Sequence, residues 1–185
     1  MTVVLVIVVV VVALLLLYAV VAYNGLVKLR NRIEAAWAQI DVQLKRRYDL
    51  IPNLVETVKG YATHERGTLE AVVNARNAAM AAPDRSPERA KAEDMISGAL
   101  RQLFALSEAY PDLKANQNFG QLQEELTSTE DRIAYARQFF NDSVLRYNSK
   151  IQAFPGVLLA NALHFEPRLY FEADDGSRGP VQVKF

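Results

Sequence analysis

The chain has two histidines and no cysteine in 185 residues, which leaves metal or thiolate chemistry few places to sit. His64 is followed by Glu65, but the zinc-protease helix needs a second histidine four residues after the first, and that position is Thr68. Bundles that hold carboxylate-bridged metal pairs put a glutamate three residues before each histidine. Tyr61 and Asn161 stand there instead. Both histidines therefore read as packing or surface residues. Without cysteine there is no disulfide framework, no thiolate metal site and no cysteine nucleophile. The glycines are scattered and form no phosphate-binding loop. Ser97, Ser107, Ser128 and Ser143 lack a nucleophile-elbow context. Glu124 and Glu125 are adjacent on a helix and point in different directions, so that spacing alone makes no acid/base pair. The residues point to no catalytic group, no metal and no cofactor.

One dense basic cluster remains, Lys45-Arg46-Arg47. Contact with anionic lipid or nucleic acid is one reading. Yet the cluster lies about 34 Å past Ala22 along an upright helix, several Debye lengths away. A solvated helix face pairing with Glu124, Glu125 or Asp131 is the simpler one. Trp37 reads as a packing anchor beside an apolar stripe. The 21 basic and 21 acidic side chains cancel, which argues against a nucleic-acid partner.

The elements that position these residues begin with a segment that carries no charge. Every charged side chain lies at or beyond Lys28. From Val3 to Ala22 the chain is Val- and Leu-rich, without Gly or Pro, and long enough at about 1.5 Å per residue to cross a bilayer's hydrocarbon core of about 30 Å. It is longer than a signal peptide's apolar region and lacks a basic start, so it reads as a retained anchor. Tyr18 and Tyr23 sit at its end, where amphipathic rings settle at the lipid–water boundary. Lys28, Arg30 and Arg32 follow, and the positive-inside rule puts the N-terminus outside and the remainder in the cytoplasm.

Beyond the anchor the apolar period is helical. Leu26, Leu29, Ile33, Ala36, Ile40, Leu44, Tyr48, Ile51, Val55, Val58 and Ala62 recur at spacings of three and four, which predicts one long helix to about Ala81, kinked near Pro52. Ser86 caps a second helix with Pro87 at its first position, and Pro111 stops it. A connector over residues 112–117 leads to a third helix, striped from Phe119 to Phe154. Stripes this regular favour coiled-coil-like packing. After Pro155, Val157 to Leu163 forms a short apolar helix. The alternation around Asp174-Asp175-Gly176-Ser177 would suit a small β-hairpin. The expected fold is all-α: a transmembrane helix (1–23) continuous with an elongated antiparallel bundle of three long helices (24–154), then a short helix and tail (155–185). With alternating helix directions, the C-terminal segment would lie far from the bilayer.

Several stretches resemble the LemA family: Tyr23 to Asn31, Ala36 to Arg47, Asp49 to Val55, Tyr110 to Ala115, Thr129 to Ile133, Arg137 to Asn141, Phe154-Pro155 and Tyr170 to Ala173. The resemblance covers nearly the whole chain. It implies a bacterial inner-membrane protein with one N-terminal span and a cytoplasmic helical bundle, and supplies no reaction or catalytic residue.

These readings converge on a non-enzymatic, membrane-anchored scaffold that self-assembles into a homo-oligomer at the cytoplasmic membrane. Val3 to Ala22 with Tyr18, Tyr23, Lys28, Arg30 and Arg32 would meet lipid. Val157, Leu158, Leu163, Phe165, Tyr170, Phe171, Val181, Val183 and Phe185 would meet neighbouring copies, because an apolar tail without a partner strand needs a surface to cover it. The alternative is a membrane-tethered signalling adaptor whose bundle docks a different protein.

Overall fold

The computed structural model describes residues 1–62 and 64–171. Six helices follow in order: α1 (Thr2–Lys59), α2 (Arg66–Ala81), α3 (Pro87–Ser107), α4 (Pro111–Lys114), α5 (Gln117–Gln152) and α6 (Gly156–Ala162). The fold is all-α, with no strand among the described residues. The expected hairpin falls mainly on residues 172–185, which lie outside them, as do Val181, Val183 and Phe185.

The first long helix ends earlier than its periodicity predicts. It stops at Lys59, and α2 starts anew at Arg66 instead of continuing to Ala81. Gly60 costs about 1 kcal/mol in a helix interior relative to alanine. The amides of Tyr61 and Ala62 both turn back to the Val58 carbonyl oxygen, at 2.9 Å each. Ala62 is buried all the same, so the apolar spacing runs on across a break in the helix. The start of α3 is as expected: Ser86 Oγ accepts the Arg89 amide at 3.1 Å with Pro87 in the first turn. Backbone bonding and Ser86 hold the exposed Glu88 carboxyl below its ordinary range. Part of the connector before α5 is itself a helical turn, α4, which buries Leu113.

The chain forms two compact units. Unit 1 comprises residues 1–39 and 138–170; unit 2 comprises residues 40–137 and, among the described residues, Phe171.

In unit 1, Leu26, Ile33, Ala36 and Trp37 of α1 are buried together with Phe140, Val144, Tyr147 and Ile151 of α5. Trp37 meets Phe140 edge-on at 5.6 Å, and Lys150 Nζ occupies the notch left by Gly25, where a Cβ would come within 2.8 Å of it. Those two contacts fix the local direction: this stretch of α5 runs antiparallel to α1, back towards the apolar end. The C-terminal segment therefore does not lie far from that end, contrary to the expectation from alternating helices. The break after Lys59 adds a helix to the count and so reverses the direction of the last one.

In unit 2, Ile40, Leu44, Ile51, Leu54 and Val58 of α1 are buried with Val72, Ile96, Leu100, Leu103, Leu126 and Ile133. Pro52 sits inside α1 without ending it. Proline has no N–H for the carbonyl four residues earlier, which is that of Tyr48. Arg76 Nε of α2 donates to the Tyr48 carbonyl oxygen at 2.8 Å and replaces the missing bond.

Candidate functional site

The densest polar arrangement lies inside unit 2, built from side chains that share the phase of the apolar stripes. Arg47 follows Leu44 by three residues and precedes Ile51 by four, so it faces the core and is 0% exposed. Glu93 precedes Ile96 by three and is also 0% exposed. Glu130 lies between Leu126 and Ile133 on α5 in the same phase. The Arg47 guanidinium bridges Glu93 and Glu130 and donates to Ser97 Oγ at 3.0 Å. Ser97 Oγ in turn donates to Glu130 Oε2 at 2.7 Å. The Tyr48 hydroxyl donates to Glu93 Oε1. Arg89 joins Asp84, reaches Asp41 at 3.2 Å, and lies 3.7 Å from Glu93. Burial, then the Glu93 carboxylate, push the Tyr48 phenol well above its ordinary value, so it stays a donor.

The network ties α1, α3 and α5 together in unit 2. Both Glu93 oxygens are engaged, and the carboxylate has no path to solvent. General acid/base work needs a group within reach of a substrate proton. Glu93 meets that condition nowhere, so the cluster acts as a clamp. A solvated face is thus wrong for Arg47, the central residue of the basic cluster. It holds for Arg46, exposed and 3.5 Å from Glu125, one of the expected acids. Reading stripe phase ahead of residue type would have found Arg47, Glu93 and Glu130.

A second polar group closes the loops of unit 2. Tyr110 donates to Glu65 at 3.0 Å, and that bond raises its phenol pKa. Asn116 donates to Tyr61 Oη at 2.8 Å while its Oδ1 accepts the Phe119 amide at 3.0 Å, capping α5. His64 is exposed. Groups of three or more metal-ligating side chains suited to a cation are absent among the described residues. Arg137 pairs with Asp94 at 2.9 Å and lies over the Phe171 ring at 4.4 Å, so Phe171 is buried in its own chain.

Unit 1 carries the apolar end. Val3 and its successors through Tyr18 are exposed side chains on a helix long and apolar enough to cross a membrane. Ala22 is buried, while Tyr18 and Tyr23 are exposed. Lys28 and Arg30 are exposed, and Arg32 stacks over Phe139 at 4.8 Å. α6 ends with His164 at φ 57°, a left-handed turn that lets the Phe165 amide reach the Ala160 carbonyl oxygen at 2.9 Å. This turn brings the half-buried Phe165 edge-on to Tyr23 at 5.9 Å. The chain that follows is held on α5: Tyr147 Oη donates to the Glu166 carbonyl oxygen at 3.0 Å, and Asn148 makes two bonds of 2.9 Å to the Arg168 backbone. Leu158, Leu163 and Tyr170 remain exposed, and Val157 is half-buried.

An unbroken helix that leads from an apolar span into an all-α domain with a closed ionic core defines the class: a helical protein whose N-terminal helix is fit to cross a membrane. The LemA family matches residues 36–185. The chain belongs to that family. It is 29% identical to Protein LemA of Metamycoplasma hominis, over 86% of this chain and 73% of that protein. It is 24% identical to Magnetosome protein MamQ of Magnetospirillum gryphiswaldense, over 86% of this chain and 68% of that protein. Magnetosome protein MamQ 2 of Paramagnetospirillum magneticum is 23% identical over the same shares.

Proposed function

We propose that the chain is a non-enzymatic scaffold held in the cytoplasmic membrane by α1, with its N-terminus outside and its helical domain in the cytoplasm, and that it self-assembles. The continuity of α1 carries this reading: the apolar span and the core helix of the domain are one helix of 58 residues. A single helix shared by span and domain suits a structural part. Lys28 and Arg30 flank the domain side of the span, which supports the orientation. The ionic chemistry of the core is spent on holding helices together. Apolar surface is left for neighbours along the span, at Leu145 in unit 1, and at Val42 and Tyr135 in unit 2.

Native mass measurement of the detergent-solubilised protein tests the assembly. A discrete oligomer is expected; a monomer at every concentration contradicts self-assembly. Recovery of a stoichiometric foreign protein from native membranes, with no second copy of this chain, would favour the adaptor instead.

A further inference from the structure

We infer that the cap from Phe154 to Phe165 is a second membrane-contact surface, seated in the headgroup layer of an anionic bilayer on the side where α1 emerges. The inference rests on the reading that α1 spans the membrane. Residues 151–165 contain no Asp, Glu, Lys or Arg, and Lys150 and Glu166 bound the stretch. Large apolar side chains on it stand in the open: Phe154 is 81% exposed, Leu158 64% and Leu163 46%. In water such a surface is unfavourable.

Its position in unit 1 says what covers it. Phe165 touches Tyr23 and Lys150 Nζ fills the notch at Gly25. On an upright helix those residues lie only about 1.5 and 4.5 Å past Ala22. The headgroup layer is about 5–7 Å deep on each side of the hydrocarbon core. Both contacts therefore fall within it, and a helix joined to them lies at the bilayer surface. Interfacial helices bury an apolar face there and set cations against anionic headgroups. Lys150 supplies a cation at this level, and Lys28, about 9 Å past Ala22 on an upright helix, stands just beyond it. Arg168, pinned by Asn148, adds another close by.

Because the chain has no cysteine, a single introduced one can be labelled uniquely. Phe154→Cys, Leu158→Cys, Leu14→Cys and Val42→Cys all replace exposed side chains and leave the core intact. Each full-length variant, carrying an environment-sensitive nitrobenzoxadiazole label, is reconstituted into phosphatidylglycerol vesicles with lipids bearing a nitroxide quencher. The expected result is loss of most emission at positions 14, 154 and 158 and none at 42. Loss should be smaller at 154 and 158 in phosphatidylcholine vesicles; equal loss overturns the anionic assignment. Quenching at 14 but not at 154 or 158 overturns the cap's role while leaving the span in place. A blue-shifted label at 158 that lipid quencher does not touch places Leu158 against protein and also overturns it. No quenching at any position refutes the spanning helix itself.

Discussion

The two units solve the same packing task, helix against helix, with different physics. Unit 1 joins α1 to α5 through Trp37, Phe140, Leu26 and Ile151, and its buried polar side chains Tyr147 and Asn148 make uncharged bonds to the backbone of Glu166 and Arg168. Unit 2 sets Arg47, Glu93 and Glu130 in the middle of its core. A buried ion pair gains little net stability over apolar side chains of similar volume, because desolvation offsets the attraction. What it adds is intolerance of misalignment, since a slipped helix leaves a charge buried and alone. Unit 2 therefore holds its helices in register by the cost of errors, and unit 1 by contact area.

The largest effect should come from unpairing the ionic core. Glu93→Leu leaves Arg47 and Tyr48 without their acceptor and is expected to lower stability by about 3–5 kcal/mol, read by urea unfolding of the solubilised protein. Replacing Arg47, Glu93 and Glu130 together by Met, Leu and Leu should restore most of that loss. If the single and triple variants are equally damaged, the network contributes more than register and the contrast between the units fails.

Unit 1 offers the matching test. Trp37→Ala removes the ring on Phe140 and should cost about 3–5 kcal/mol through the cavity it leaves. That loss should be graded, so that Trp37→Phe recovers part of it, whereas Glu93→Gln in unit 2 recovers little because it leaves Glu130 as the one carboxylate on Arg47 and takes a carboxylate away from Arg89 as well. Urea midpoints of the four variants make the comparison.

A smaller, sharper effect concerns Pro52. Arg76→Met leaves the Tyr48 carbonyl without a donor, at a cost of about 1–3 kcal/mol. In a Pro52→Ala background the restored N–H bonds that carbonyl, and the same Arg76 change should cost clearly less. Equal costs in the two backgrounds would break the link between arginine and proline.

The smallest effect near neutrality is on pH dependence. The Tyr48 phenol is raised in the folded state, so the folded chain holds its proton more tightly than the unfolded chain. Its contribution is complete below the ordinary tyrosine value of 10.0 and is lost as pH rises beyond it. Tyr48→Phe should flatten the fall of stability above pH 10.0 relative to the parent, while Tyr110 and Tyr147, raised in the same direction, leave a residual slope.

Much of this was legible in the sequence where one signal acted alone. The chargeless span, the Ser86 cap and the α5 stripe each follow from residue types in a single period. The break after Lys59 was hidden because Ala62 is buried on the far side of it, so the spacing continued where the hydrogen bonds did not. That one missed turn also reversed the expected direction of α5 and misplaced the C-terminal cap. Arg47 was misread because charge was weighed before position: lysine and arginine seldom lie fully buried, and the partners that make it tolerable stand 46 and 83 residues away. Pairings at such range belong to the tertiary fold and leave no local pattern.

Membrane anchoring through α1 is the claim on which the functional reading stands, and single-cysteine labelling in intact bacteria tests it most directly. With Thr2→Cys and Val42→Cys variants of the full chain and a membrane-impermeant maleimide, position 2 should react in intact cells and position 42 only after lysis. Reaction of position 42 in intact cells, or protection of position 2 until lysis, would contradict the proposed arrangement.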